Sequence, residues 1–204
     1  MSKTTLHRRQ LVKEILKGAD DNLLVLAGVG SSNRDITETG DRPLNMPLWG
    51  AMGATVSMGL GLALAQPTKR VLVITGDGDM LMGMGSLATV ATQQPDNLAI
   101  VVLDNEKFGI TGNQATHTSP RKKDSTDSGA GADLSLIAKG CGIEDAGVVR
   151  KQSEVAQLVR DARYKKGPIF RVVKVMAENL ESVMPPQDGA HLKDRFRQAL
   201  LGKP

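Results

Sequence analysis

The chain is short of aromatic residues, cysteine and long apolar runs, and each shortage removes a class of protein. Aromatics make up only 2% of its 204 residues, with one Trp and one Tyr, so Leu, Val, Ile, Met and Ala must fill the core. One cysteine, Cys141, excludes an intrachain disulfide and any cysteine-ligated cluster, and fits a reducing cytoplasm. The opening MSKTTLHRRQLVKEIL has no uninterrupted apolar stretch of the signal-peptide kind. Ala51 to Ala65, rich in Gly, Ala and Met, falls short of the roughly 20 apolar residues of a membrane span. The net charge of +4 is spread along the chain. Its one local basic cluster, Arg121-Lys122-Lys123, lacks the interleaved aromatics of a nucleic-acid surface. Neither a nucleic acid nor a membrane is expected as a partner.

What is present is an alternation of apolar runs and helical patterns. Leu23 to Ala27, Val71 to Thr75, Leu98 to Leu103, Ala146 to Val149 and Pro168 to Val175 read as strands, apolar on both faces as buried parallel strands are. Helices are expected from Thr4 or Thr5 to Gly18, from Leu48 to Gln66, around Ser86 to Gln93, from Asp133 to Gly140, from Ser153 to Arg163, and from His191 to Leu201. Gly53, Gly59 and Gly61 are expected to let another backbone pack closely on the second of these. Gly28 to Asn33 reads as a turn and Thr37 to Met46 as a surface loop. Glu106 to Gly131 has no apolar period, and a loop that long is functional or disordered. The length suits one domain over 1–204 with a helical tail from 178. The expected fold class is α/β, with a mainly parallel sheet and helices on both faces.

The stretch from Val71 to Asn113 carries the chemistry. Gly76-Asp77-Gly78 closes one strand and Asp104-Asn105 the next, so an acid and an amide stand at neighbouring strand ends. Asp77 can give a carboxylate to a hard divalent cation, Asn105 a side-chain carbonyl, and Lys107 a main-chain carbonyl, with diphosphate oxygens and water completing the shell. Gly76 and Gly78 allow a phosphate close to the backbone, and the N–H groups of Asp79 and Met80 can donate to it. Two other readings compete. Gly-Asp-Gly can be a turn and Asp104-Asn105 a strand-ending pair of hydrogen-bonding residues. Gly83-Met84-Gly85-Ser86-Leu87-Ala88 matches the G-x-G-x-x-A of a nicotinamide-binding dehydrogenase domain, but Gly76 to Met82 separate it from the strand it should follow.

Gly76-Asp77-Gly78 with Asp104-Asn105 resembles the motif of thiamine diphosphate-dependent enzymes, G-D-G followed one strand–helix–strand unit later by N-N. The first Asn is Asp104 here and the spacing runs slightly longer, but the second Asn, Asn105, is the family's metal ligand. Leu48-Trp49-Gly50-Ala51-Met52-Gly53 resembles the family's G-S-M-G segment, and Asn105 to Gln114 resembles the loop beyond the second ligand. The resemblance is greatest to the diphosphate-binding half of two-subunit decarboxylases of the sulfopyruvate and phosphonopyruvate type. It implies thiamine diphosphate and Mg2+ as cofactors, with Asp77, Asn105 and Lys107 on the metal. It also implies that Gly50, Ala51, Met52, Gly76, Asp77, Gly78, Asp79, Asn105, Lys107, Phe108 and Gly109 bind the cofactor, with Met52 as the wedge that bends it. His117, in the long loop, is a candidate acid/base or anion donor, with a surface histidine as the plainer alternative.

By the same resemblance, decarboxylation of a small 2-oxo acid needs a glutamate from a separate pyrimidine-binding domain. The chain has room for only one domain, so a second subunit and a hetero-oligomer, α2β2 or larger, are expected. A carboligase or 2-oxo acid oxidoreductase subunit with the same cofactor is the nearest alternative. The substrate itself is not legible.

Overall fold

The structure is a computed structural model, and it describes residues 5–120, 130–181 and 183–202. The Arg121-Lys122-Lys123 cluster, Thr4 and part of the long loop lie outside the described residues. In chain order the elements are α1 (Arg8–Leu16), β1 (Leu23–Ala27), α2 (Ser31–Glu38), β2 (Asn45–Pro47), α3 (Thr55–Ala65) and β3 (Arg70–Gly76). They continue with α4 (Asp77–Met82), α5 (Ser86–Gln93), β4 (Leu98–Asp104), β5 (Lys107–Phe108), β6 (Gln114–Ala115) and α6 (Leu134–Gly140). The last four are β7 (Ala146–Val149), α7 (Gln152–Tyr164), β8 (Ile169–Lys174) and α8 (Gly189–Leu201).

Six strands form one sheet in the order β2-β1-β3-β4-β8-β7, every neighbouring pair parallel. All residues of β1 and β4 are buried, which explains their unbroken apolar runs. Alternate residues feed two cores. Val25, Ile74, Val101 and Val173 pack with Leu11, Ile15, Ile36 and Leu158 on one face. Leu24, Val73, Ile100 and Phe170 pack with Val56, Leu87, Leu134 and Phe196 on the other. From β1 the chain moves out to β2, then returns to the other side of β1 as β3. That reversal opens a crevice at the carboxyl ends of β1 and β3, where doubly wound sheets bind ligands.

Several local expectations are corrected. The helix expected from Leu48 begins only at Thr55, because Ala51 (φ 56°) and Gly53 (φ 89°) take left-handed conformations that a helix cannot contain. Gly53 does pack on another backbone, since a Cβ there would lie 3.1 Å from Gly83 N, whereas one at Gly59 would meet a side chain (Val73 Cγ2, 2.3 Å) and nothing lies within 4 Å of one at Gly61. The expected turn at Gly28–Asn33 and loop at Thr37–Met46 contain α2 and β2. The buried side of α2 is mainly polar (Ser32, Asn33, Asp35), so it carries no apolar period. Gly-Asp-Gly is the start of α4 rather than a bare turn. His7 stands at the N-cap position of α1, and Asp188 caps α8 by accepting from Ala190 and His191 N–H. At α7 Lys151 holds the N-cap position expected of Ser153, and the Glu154 carboxylate accepts from Arg150 and Lys151 N–H. Asp133 caps α6 as expected.

Candidate active site

The cleft at the carboxyl edge of the sheet has a volume of ≈ 180 Å3. Four stretches line it: Val29 to Ser32 after β1, Gly76 to Asp79 where β3 passes into α4, Leu103 and Asn105 at the end of β4, and Lys107 to Thr111 beyond. Met52 and Arg8 complete the wall. Asp77 and Asn105 therefore face one space, as their strand-end positions predict.

Asp77 is 1% exposed. Thr116 and Thr118 Oγ1 both donate to its Oδ2, at 2.5 and 3.0 Å, while Oδ1 accepts from no side chain among the described residues. Burial, and to a smaller degree the neighbouring Asp104 charge, pushes the Asp77 carboxyl up to about 6 against the two threonine hydrogen bonds. A bound cation would relieve that cost. Asp104 is itself buried and paired at 2.6 Å with Lys174 Nζ, which also reaches Glu106 Oε1 at 2.9 Å.

Asn105 Oδ1 accepts from Lys107 N–H at 3.0 Å, an arrangement that fixes the amide and leaves its oxygen a second lone pair. The carbonyls of Glu106 and Phe108 accept from Thr116 and Asn113, inside the β5–β6 hairpin. Strand alternation turns the Lys107 carbonyl out of that ladder. One carboxylate, one amide and one main-chain carbonyl are hard oxygen donors suited to Mg2+. They do not make a complete shell, and among the described residues no group of three His, Cys, Asp or Glu side chains gathers to make one. A ligand bringing oxygens of its own fits that gap. A diphosphate is such a ligand, so the residues present fit the cofactor and the cation together.

Gly78 keeps the cradle open. A Cβ there would lie 2.5 Å from Phe108 Cε1 and 3.4 Å from Met52 Cε. Gly78→Ala is expected to displace the Phe108 ring, at a cost of about 1–3 kcal/mol in stability, and to weaken cofactor binding as well. Thermal melting and calorimetric titration of the variant check both effects.

The side chain of Asp79 does not face a ligand. Its Oδ1 accepts from Gly53 N–H at 2.6 Å, and its Oδ2 from Thr55 Oγ1 at 2.7 Å and from Thr75 Oγ1. It holds the Ala51–Gly53 loop, and with it Met52, against β3 and α4. Gly50 and Ala51 do not line the cleft, whereas Met52, Gly76, Phe108 and Gly109 do. His117 is exposed and outside the cleft wall, because Thr116 and Thr118 on either side turn inward. Gly83 and Gly85 are not in the wall either. A Cβ on Gly83 would meet Gly53 O at 1.9 Å, so this glycine serves packing rather than a dinucleotide.

Sequence reasoning missed Thr116, Thr118 and Arg8. Thr116-x-Thr118 is a period-two signal that an extended segment makes readable, whereas Arg8 enters only through tertiary packing.

Residues 28–173 match the C-terminal TPP binding domain of thiamine pyrophosphate enzymes. The chain belongs to that family. Within it, the chain is 30% identical over 195 residues to the sulfopyruvate decarboxylase subunit beta of Methanococcus maripaludis, covering 96% of this chain and 98% of that one. It is 37% identical over 137 residues to the subunit of the same name from Methanocaldococcus jannaschii, 67% of either chain. It is 31% identical over 181 residues to the phosphonopyruvate decarboxylase of Streptomyces viridochromogenes, 88% of this chain but 43% of that protein. A solved structure from Mycobacterium smegmatis, described as a thiamin diphosphate-dependent enzyme, shares the fold with a TM-score of 0.66 at 20% identity. It is covered over 33% of its length by 86% of this chain. Among the described residues no helix is long and apolar enough to cross a membrane.

Proposed function

We propose that this chain is the diphosphate- and metal-binding subunit of a thiamine diphosphate-dependent decarboxylase. Its substrate would be a small 2-oxo acid of the sulfopyruvate or phosphonopyruvate kind, and a separate pyrimidine-binding subunit would complete the site. The observation that carries this reading is the meeting of Asp77 and Asn105, from the ends of β3 and β4, in one cleft with an unobstructed Gly78. In the proposal, Asp77 Oδ1, Asn105 Oδ1 and the Lys107 carbonyl hold Mg2+, and backbone N–H groups at Asp79 and Met80 donate to the diphosphate. Met52, at the cleft wall and 39% exposed, would act as the wedge that sets the bend of the cofactor. When bound, thiamine diphosphate supplies the electron sink for loss of carbon dioxide.

The relatives named as beta subunits favour a partner chain for this one. The activating glutamate would come from that partner, in a hetero-oligomer of the α2β2 kind located in the cytoplasm. The chain itself would form a single domain with a helical tail. The purified chain alone is expected to decarboxylate 2-oxo acids at a rate at least about 1,000-fold below that of the complex, since the general acid–base step needs the missing group. Steady-state assays with and without the co-purified partner check this, and a normal rate for the isolated chain would sink the two-subunit reading. Product analysis separates decarboxylation, which gives an aldehyde, from the carboligase and oxidoreductase alternatives, which give an acyloin or an acyl-coenzyme A.

A further inference from the structure

One buried cation in the cleft has no role in the reading above. Arg8 occupies the first position of α1, is 4% exposed, and lines the cleft together with Ser31 and Ser32. Its Nη1 donates to Asp35 Oδ2, and Arg9 Nε donates to Asp35 Oδ1 at 3.1 Å. Arg8 Nε has no hydrogen-bond partner. Among the described residues the Arg8 side chain donates to Asp35 alone. Two guanidinium groups thus share one fully buried carboxylate, and a positive charge is left over beside the cleft.

Local electrostatics give that surplus no support. Both arginines stand in the first turn of α1, which contains no acidic residue, so the helix dipole opposes them. Burying two cations against one carboxylate is costly unless a further anion arrives. The open side of Arg8 faces a cleft whose proposed ligand is a polyanion.

We propose that Arg8 is a further diphosphate-binding residue, and this rests on the diphosphate reading of the cleft. Asp35 holds Nη1 and so fixes the plane of the guanidinium. Nη2, which carries no hydrogen bond among the described residues, is left to donate to a phosphoryl oxygen, with Nε enclosed behind it. Arg8 thereby supplies positive charge from α1, an element that carries none of the metal-binding residues. It also lies upstream of the segment, 28–173, that matches the family model.

The test is calorimetric titration of the assembled complex with thiamine diphosphate, and separately with inorganic pyrophosphate, both at saturating Mg2+. Arg8→Met is expected to weaken both ligands by about 10- to 100-fold, the worth of a lost hydrogen bond to a charged group. Arg8→Lys is expected to recover part of the loss. Because Arg9 still pairs with Asp35, the ligand-free melting temperature of Arg8→Met should hold or rise. Cofactor affinity within twofold of wild type, with a lowered melting temperature, would make Arg8 a structural ion-pair partner and overturn the proposal. An effect confined to KM for the 2-oxo acid would overturn it too, by placing Arg8 on the substrate's anionic tail. A wild-type complex that binds neither ligand would overturn the diphosphate reading itself, and this inference with it.

Discussion

Asp77→Asn is expected to weaken the binding of thiamine diphosphate with Mg2+ by about 100-fold or more, on the order of 3 kcal/mol, because in the proposed reading it removes the carboxylate that holds the cation. The same substitution stabilises the ligand-free chain at alkaline pH. The Asp77 carboxyl is raised to about 6 from 3.8, so the unfolded chain gives up this proton at lower pH than the folded chain does. The group therefore costs stability above pH 6, by about 3 kcal/mol, and the cost fades as pH falls from 6 toward 4. The amide carries no charge to bury, and Thr116 and Thr118 can still donate to its oxygen. Melting temperatures at pH 8 and pH 4 check the sign. Asp77→Asn should melt above the wild type at pH 8, and the difference should vanish or reverse at pH 4. A lower melting temperature at both pH values would make Asp77 a stabilising turn residue instead.

Asp79→Ala acts in the opposite direction, on the scaffold. The buried Asp79 carboxylate, 4% exposed, gathers the Gly53 N–H and the hydroxyls of Thr55 and Thr75. Alanine leaves all three donors buried without an acceptor, at a cost of about 3–5 kcal/mol, which lowers the melting temperature by about 10 °C in a chain of this size. It also releases the left-handed turn at Ala51 to Gly53, so Met52 loses its fixed place on the cleft wall. Cofactor affinity should fall along with stability. A melting temperature within about 2 °C of wild type would mean that the network does not hold the loop.

The two aspartates of Gly76-Asp77-Gly78-Asp79 thus divide the work, and only half of that division is readable in the sequence. Asp77 was legible because it ends an unmistakable parallel strand and has its amide counterpart at the end of the next. The strands were legible for a related reason: buried on both faces, β1 and the stretches Val71 to Ile74 of β3 and Leu98 to Leu103 of β4 have no polar residue to break their apolar runs. The inward role of Asp79 was not legible, since its partners Gly53, Thr55 and Thr75 come from three separate segments.

Failures elsewhere have the same cause. Helix α2 hides because its buried side includes Ser32, Asn33 and Asp35, and the last two bond to partners far along the chain. Asn33 Nδ2, for example, donates to Leu48 O at 2.5 Å, and Asp35 receives Arg8 and Arg9. Such a face produces no hydrophobic period for a sequence reading to find. Gly50 and Ala51 were placed on the cofactor by motif, but the left-handed turn at Ala51 brings Met52 to the cleft wall and leaves those two outside it. His117 drew attention as the one histidine in a long polar loop, while the groups that reach the acid are the threonines on either side of it.

In the proposed reading Asp77 and Asn105 share a divalent cation with a diphosphate. Anomalous diffraction tests it most directly, on crystals of the assembled enzyme grown with thiamine diphosphate and Mn2+ in place of Mg2+. A manganese peak is expected about 2.1 Å from Asp77 Oδ1 and from Asn105 Oδ1, beside the cofactor's diphosphate. An ordered cofactor with no metal at those two oxygens, or a metal held at another place, would contradict it.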